Sequence, residues 1–230
     1  MRKILALLII LLALLGVFGE FVVPHLAEGM LQRELVQRAK TEDVQISLDA
    51  TPRILIALGR VGTVHGVAHD GMIGDMQVSE LTLDGEGIVF DLPALLSEGR
   101  IQMQSADKIV LRGIVTEDNL RALLASKVEQ LENLEVQMTP EEIRATANVK
   151  IMGRMADVEL TGVILADRGE LYFNMNQLNI RNALLRRIHM ENYFGDIQIT
   201  KPGTLPQGLQ FTDVKMQEGK ALVTAEMPAR

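Results

Sequence analysis

The sequence contains no cysteine and no tryptophan, and its aromatic residues are six Phe and two Tyr among 230 residues. Without cysteine the chain has no disulfide, no thiolate nucleophile, no cysteine-ligated zinc and no lipidated N-terminal cysteine. So few aromatic side chains argue against the stacking surfaces that bind carbohydrate or single-stranded nucleic acid. The formal charge of −7 argues against nucleic acid as a partner, and against adhesion to anionic headgroups through charge.

Recognisable catalytic motifs are also missing from the sequence. It has no Gly-x-Ser-x-Gly, no phosphate-binding loop and no dinucleotide fingerprint, and no serine lies in a strand–turn–helix context beside a base. His65 and His69 are four residues apart, but the glycines around them favour a strand, where that spacing is about 13 Å and excludes a shared metal. We therefore expect a protein that is not an enzyme and has no cofactor or metal.

Short acidic pairs in the sequence are interpreted as turns. Asp70-Gly71 and Gly74-Asp75 resemble a calcium loop superficially, but acidic ligands at every second position are absent. Glu141-Glu142 follows Pro140, and adjacent residues point to opposite sides of a strand, which separates their carboxylates. None of these pairs predicts a metal-binding or catalytic site.

The first 23 residues have the pattern of a signal peptide or a membrane anchor. Arg2 and Lys3 precede an uninterrupted apolar run, Ile4–Gly19, which Phe21-Val22-Val23 extends after Glu20. A signal peptide has an apolar stretch of about 7–15 residues and a membrane-spanning helix needs about 20, so both remain open, with Gly19 as a cleavage position. Basic residues before the apolar run predict an extracytoplasmic body. We favour a tether to the cytoplasmic membrane.

Residues 24–230 are long enough for a single domain, and their apolar periodicity predicts an α+β fold. An amphipathic helix is expected at Leu26–Ala39, directly after Pro24. Alternating apolar positions then predict about ten strands without regular strand–helix–strand repeats, which favours a mostly antiparallel sheet with helices on one face. The strands are expected around residues 44–48, 61–68, 76–83, 88–92, 101–103, 109–111, 134–138, 143–151, 158–164, 171–175, 209–216 and 221–227, with a helical turn or bend at 53–58 and a turn at Asp84-Gly85.

Two further helices are predicted within the body. Thr116 is a suitable N-cap, with acidic residues in the first turn after it, and the apolar residues that follow share one face. That stripe consists of Leu120, Leu123, Leu124, Val128 and Leu131. Another helix is expected across Arg181–His189, with Leu184, Leu185 and Ile188 facing inward.

Methionine is abundant, with twelve residues in the chain. Its unbranched, adaptable side chain suits a cavity that accepts variable acyl chains, but it also fills ordinary cores, and ordinary core filling is the favoured interpretation. Seven methionines fall in or near predicted elements: Met103, Met138, Met152, Met155, Met175, Met190 and Met216.

The layout resembles the LmeA-like phospholipid-binding family of bacterial envelope proteins over most of the chain after the N-terminal segment. The resemblance rests on the patch Pro52–Arg60, the paired runs Val78–Leu83 and Ile88–Leu92, the helix opening at Thr116–Leu120, and above all Leu205–Val214 near the terminus. These are patterns of apolar positions and turns rather than reactive side chains. The family has no catalytic signature to carry over.

This resemblance implies a fold similar to the tubular lipid-binding (TULIP) modules, with a curved antiparallel sheet around a helix enclosing an apolar cavity. We accordingly expect an extracytoplasmic phospholipid-binding protein that contributes to envelope lipid or glycolipid homeostasis. Alternatives are an assembly factor that binds an envelope protein, and an enzyme that acts on envelope glycolipids. The cavity-lining residues we expect are Leu120, Leu123, Leu124, Val128, Leu184, Leu185 and Ile188.

Overall fold

The structure is a computed structural model that describes residues 28–29, 32–33, 36–37, 39–91, 102–127, 131–151, 154–181, 197–200, 203, 205 and 208–227. The predicted signal peptide or anchor, Val128, and the predicted inward-facing residues Leu184, Leu185 and Ile188 lie outside these residues. Within the described part of the chain, no helix is both long enough and apolar enough to cross a bilayer.

Strands dominate the described residues, which contain twelve strands, one 3₁₀ helix at Arg53–Leu58 and one bounded α-helix, α1, at Glu117–Lys127. The described positions between 28 and 39 are also helical, in agreement with the helix predicted there. The strands are β1 (Val44–Asp49), β2 (Arg60–Ile73), β3 (Met76–Phe90), β4 (Met103–Ser105), β5 (Lys108–Thr116), β6 (Leu131–Met138), β7 (Ile143–Ile151), β8 (Arg154–Asp167), β9 (Glu170–Arg181), β10 (Ile197–Gln198), β11 (Gln210–Gln217) and β12 (Lys220–Glu226).

The strands form two open sheets. The first has the order β1-β2-β3-β5-β12-β11, with β4 also paired to β3, and the second has the order β10-β9-β8-β7-β6. Neighbouring strands in the second sheet all pair antiparallel, as do β1–β2, β3–β4 and β11–β12 in the first. The predicted mostly antiparallel architecture is confirmed, although the described residues form twelve strands in two sheets where about ten strands in one sheet were expected.

The described residues divide into two compact units. Unit 1 contains those up to Ala68 and those of 82–110, and unit 2 contains 69–81 and those from Leu111 onward. Strands β2, β3 and β5 contribute residues to both units. The expectation of one domain over 24–230 stays a prediction.

In unit 1, helical residues cover the outer edge of β1. An edge strand presents unpaired backbone groups that invite association unless something covers them. The side chain of Gln32 donates to the Val44 carbonyl at 2.8 Å, and Glu28 Oε1 accepts from the Leu48 amide at 3.4 Å. The helical residues after the predicted N-terminal segment are thereby held against the body of unit 1.

In unit 2, the two sheets meet at the turn between β8 and β9. Arg168 and Gly169 both have positive φ, as a tight turn between two antiparallel strands requires. The Gly169 carbonyl accepts from the Phe211 amide of β11 at 3.2 Å, and the Phe211 side chain is buried. A residue of the final hairpin therefore joins the first sheet to the second.

Three local predictions are wrong, each because a long-range pairing overrides the local signal. Asp84-Gly85 lies inside β3, where a Cβ on Gly85 would come within 2.6 Å of Ile88 Cδ1, so this glycine makes room for a side chain. Leu131 pairs with Val149 at the start of β6 and is not part of the helix. Asp70-Gly71 lies within β2, whose turn into β3 is at Gly74-Asp75.

The helix expected at Arg181–His189 does not include its first residue, because Arg181 is the last residue of β9. The rest of that segment, 182–189, lies outside the described residues. The turn at Glu141-Glu142 is confirmed, since the Thr139 amide donates to the Glu142 carbonyl at 2.9 Å between β6 and β7.

Candidate lipid-binding site

The candidate site in unit 2 is built around α1, whose first turn is capped by Thr116. The Thr116 hydroxyl accepts from the Asn119 amide at 3.3 Å and donates to Asn119 Oδ1 at 2.9 Å. Asn119 Oδ1 also accepts from the Thr116 amide at 3.0 Å. This reciprocal pair satisfies backbone donors that a helix N-terminus leaves open, so the predicted N-cap is confirmed.

One face of α1 carries the first three leucines of the predicted apolar stripe, and the structure buries them. Leu120 is fully buried, and Leu123 and Leu124 each retain 2% of their exposure. Arg121 and Ala125 lie on the opposite, exposed face. Burial of each leucine contributes roughly 1.5–3 kcal/mol, so the stripe fixes which face of the helix points inward.

Polar contacts hold α1 at both ends. Glu117, in the first turn, accepts a hydrogen bond from the Met138 amide of β6 at 2.8 Å. Lys127, at the last turn, forms an ion pair of 2.6 Å with Asp75 in the turn between β2 and β3. The Met138 carbonyl accepts in addition from the Gly219 amide at 3.0 Å. The helix is therefore fastened to β6 and to the β2–β3 hairpin within unit 2.

The strands beside α1 have one apolar and one polar face, as their alternation predicts. Val136 and Met138 of β6 and Ile143 and Ala145 of β7 are buried. Arg144, between the two buried β7 residues, is exposed. Because α1 packs against β6, its leucine stripe and the apolar face of the second sheet belong to one region of unit 2.

The polar face of the second sheet contains a depression of about 460 Å³. It is bordered by Asn133, Glu135, Arg144, Thr146, Ala147, Asn148, Asp157, Val158 and Glu159. Its amides and carboxylates bond to one another, with Asn133 donating to Asn148 at 2.9 Å and Asn148 donating to Asp157 at 2.7 Å. A surface of this composition does not suit acyl chains, whose burial requires apolar walls.

Unit 1 contains a separate apolar cluster. Its buried members come from β1 and the residue after it, from β2, β3 and the 3₁₀ helix, and are Leu48, Ala50, Ile56, Val61, Val64 and Ile88. Five apolar residues that are only partly buried pack against it: Ile46, Leu55, Phe90, Met103 and Ala106. This cluster thus keeps a partly exposed apolar margin, unlike the leucine stripe of α1.

Titratable side chains in the described residues do not form a group that could hold a metal ion. His65 lies on β2 as predicted, with Nδ1 2.7 Å from Asp84 Oδ1, and no group of three potential metal ligands occurs in the described part of the chain. A hydrogen bond to the Glu170 carboxylate raises the pKa of Tyr172. This direction is opposite to the lowered pKa that would activate a tyrosine as a base.

Comparison with protein families adds the observation that decides the class. The family model for LmeA-like phospholipid-binding proteins matches residues 18–226, nearly the whole chain. The chain belongs to this family. No curated protein and no solved structure matches it. The family resemblance inferred from apolar and turn patterns is confirmed, and phospholipid is the ligand class that the family description indicates.

The predicted cavity residues are only partly within the described structure. Leu120, Leu123 and Leu124 lie side by side and are covered by protein atoms, whereas Val128, Leu184, Leu185 and Ile188 fall outside the described residues. The apolar margin of unit 1 was not predicted as a site. Its signals were the apolar patch at 53–58 and Met103, but sequence periodicity does not show which side chains of a short 3₁₀ helix stay exposed.

Proposed function

We propose that this protein is a non-enzymatic, extracytoplasmic lipid-binding protein of the bacterial envelope, tethered to the cytoplasmic membrane by residues 1–23. It holds phospholipid acyl chains and contributes to envelope lipid or glycolipid homeostasis. The observation that carries this proposal is the family match over residues 18–226.

The acyl chains would lie against α1 and the apolar face of the second sheet, with Leu120, Leu123, Leu124, Val128, Leu184, Leu185 and Ile188 as the lining. In support, the three described leucines share one buried face, and both ends of their helix are fixed by polar contacts. Each acyl methylene moved from water to an apolar wall contributes about 0.8 kcal/mol, so a whole chain provides strong binding without charged groups.

The leucine stripe is already covered by protein atoms. A lipid would therefore contact it either where the stripe closes the inner end of a cavity, or after the covering residues move. Met138, which is buried beside the helix, suits an apolar wall that accepts different acyl chains, since the methionine side chain adapts its shape readily. Met138 can thus line a cavity for acyl chains, which is our proposal, or fill an ordinary core, which is the alternative.

Photocrosslinking tests this site without destabilising substitutions. The full chain is loaded with a phospholipid that carries a diazirine in its acyl chain, irradiated, digested and mapped by mass spectrometry. We expect one phospholipid per chain, with crosslinks on α1 and on the facing strands β6 and β7. Crosslinks confined to residues 1–27, or to the polar side chains that border the depression, such as Arg144, Asn148 and Asp157, would exclude the site.

The same preparation separates the other functional classes. A chain that never holds phospholipid at stoichiometric level, but co-purifies with one envelope protein, supports the assembly-factor alternative. Chemical conversion of the added phospholipid or glycolipid, followed by thin-layer chromatography, supports an enzyme.

A further inference from the structure

The most exposed large apolar side chain in the described residues is Leu58, the last residue of the 3₁₀ helix, which retains 62% of its exposure. A single exposed leucine is ordinary on a protein surface. Leu58 differs from an ordinary case because it adjoins the partly exposed apolar margin of unit 1. Met155 on β8, at 45% exposure, is the other exposed large apolar residue in the described part of the chain, and it lies in unit 2.

Backbone contacts bring the chain at Leu58 next to the margin, and we infer from this that they form one surface. Gly59, directly after Leu58, has a left-handed conformation that ends the 3₁₀ helix, and its carbonyl accepts from the Phe90 amide at 2.7 Å. Phe90 in turn pairs with Met103 of β4. The side chains of Leu55, Phe90 and Met103 pack on the unit 1 cluster while remaining partly exposed. We call the surface formed by Leu55, Leu58, Phe90 and Met103 the apolar tip.

We propose that the apolar tip inserts into the headgroup region of a phospholipid membrane and docks unit 1 on the bilayer surface; this docking role rests on the proposed lipid-binding function. Apolar side chains on a short turn penetrate the interface at little conformational cost, since the turn's backbone is already hydrogen-bonded at Leu55 and Gly59. This proposal goes beyond membership of the family, which concerns binding of a phospholipid molecule and not contact of the protein with a bilayer.

The charges around the tip favour a lipid surface as its occupant. Arg60 is exposed at the start of β2, two residues after Leu58, so a cationic side chain flanks the apolar segment. Lipid phosphates attract arginine at the membrane interface even where the protein as a whole is acidic. Asp49, at the end of β1, and Asp91, directly after β3, carry the opposite charge, so the apolar side chains provide the main driving force.

The position of the N-terminal segment is consistent with the same occupant. The predicted membrane segment ends at Val23, and Glu28 is already hydrogen-bonded to Leu48 on β1, whose neighbour Ala50 belongs to the unit 1 cluster. Five residues of chain span at most about 18 Å. A tether of this length keeps unit 1 close to the bilayer surface. The bilayer is therefore a nearer occupant for the apolar tip than a distant protein partner.

Site-specific fluorescence tests the docking, and the absence of native cysteine makes the labelling clean. Leu58→Cys and the matched control Met155→Cys are each labelled with an environment-sensitive nitrobenzoxadiazole dye in the full chain. Both substitutions replace an exposed apolar residue, so we expect neither to disturb the core. Folding is checked by comparing the circular dichroism of each variant with that of the unmodified chain. The proteins are reconstituted into phosphatidylcholine–phosphatidylglycerol vesicles that contain phospholipids with nitroxide-labelled acyl chains.

We expect several-fold stronger quenching of the dye at position 58 than at position 155, rising with nitroxide content beyond one labelled lipid per protein. Equal quenching at both positions, or none at position 58, overturns the docking proposal. Phospholipid bound to each purified protein is quantified by mass spectrometry before reconstitution. Stoichiometric lipid without quenching at position 58 rejects the docking alone, whereas quenching without bound lipid rejects the lipid-binding function and leaves membrane contact standing.

Discussion

At the residue scale, side-chain hydrogen bonds fix local geometry at positions where the backbone alone would leave donors open. Thr116 and Asn119 exchange three hydrogen bonds at the start of α1. Thr200, which is 1% exposed, accepts from the Leu171 amide at 2.8 Å and so satisfies a donor in the interior of unit 2. A buried polar group left without a partner costs roughly 1–3 kcal/mol, which explains why these contacts accompany the tightly packed residues.

Removal of the α1 cap should lower stability without changing the fold. Thr116→Ala loses the hydroxyl that contacts Asn119, and we expect the free energy of unfolding to fall by about 1 kcal/mol. Urea denaturation followed by circular dichroism measures this change. Thr116→Ser retains the hydroxyl and should stay close to the parent protein, and a loss as large as that of the alanine variant would argue against capping as the cause.

The Tyr172–Glu170 hydrogen bond predicts an unusual tyrosine titration. The bond and the nearby negative charge favour the neutral phenol, so the folded-state pKa of Tyr172 is raised above its ordinary value of about 10. The stabilisation is therefore fully present below about pH 10 and is lost as pH rises through the folded pKa. In a Tyr193→Phe background, which leaves one tyrosine, phenolate absorbance should appear above the range of a free tyrosine.

The matched variant Glu170→Gln removes the carboxylate charge and keeps a hydrogen-bond acceptor. We expect the Tyr172 pKa to fall toward the ordinary value in this variant, because the coulombic contribution of Glu170 is gone. An unchanged titration curve would show that burial, and not the carboxylate, controls the phenol.

At the element scale, strand register and close approach decide details that local sequence signals miss. β3 continues through Asp84 and Gly85 because its pairing extends to β4, although Asp-Gly is a common turn signal. β6 begins at Leu131, which the helical spacing had assigned to α1, because it pairs with β7. Local patterns compete with inter-strand hydrogen bonds, and the longer pairing gives the greater total stabilisation.

Gly162 should be intolerant of any side chain. It lies in β8, where an added Cβ would be 2.4 Å from the Asn174 carbonyl oxygen and 2.8 Å from the Phe173 ring. Overpacking against a neighbouring backbone cannot be relieved by rotating a side chain, so Gly162→Ala should cost roughly 1–3 kcal/mol or more. Thermal unfolding of the full chain measures the loss.

Gly29 provides the opposite control for the same substitution. It is a helical residue with ordinary backbone geometry, and a Cβ added to it would meet no atom within 4 Å. Gly29→Ala should therefore stabilise the protein by about 0.4–1 kcal/mol, since alanine has less freedom in the unfolded chain. Equal losses at both glycines would contradict the packing argument for Gly162.

At the scale of the whole molecule, the proposed function depends on apolar surfaces that contact lipid rather than on reactive side chains. In unit 2 the leucine stripe of α1 is covered, and in unit 1 the apolar tip remains partly exposed. The two surfaces suggest different roles, one in holding acyl chains and one in contact with the bilayer. Photocrosslinking tests the first role and dye quenching tests the second, and each can fail without the other.

Bound phospholipid should stabilise the folded protein by mass action. A ligand that binds only the native state adds about 2.7 kcal/mol to the free energy of unfolding at 100 times its dissociation constant. A short-chain phospholipid, kept below its micelle-forming concentration, should raise the melting temperature as its concentration increases. Glycerol 3-phosphate, which has the polar group without acyl chains, should have no effect, and an equal shift with it would point to a polar site instead.

Local periodicity and turn chemistry were enough to predict which residues can be buried, the strand-rich antiparallel class, and the cap and apolar face of α1. The resemblance of the sequence pattern to a known family identified the family. Val44–Asp49, Ile143–Ile151 and the final hairpin lie close to where alternation predicts them. Three features were visible only in the tertiary structure: the strands form two sheets, β3 passes through Asp84-Gly85, and Phe90 bonds to Gly59 beside the exposed Leu58. These features depend on hydrogen bonds between residues far apart in the chain, such as that from Phe90 to Gly59, and periodicity within a single segment carries no information about its distant partner.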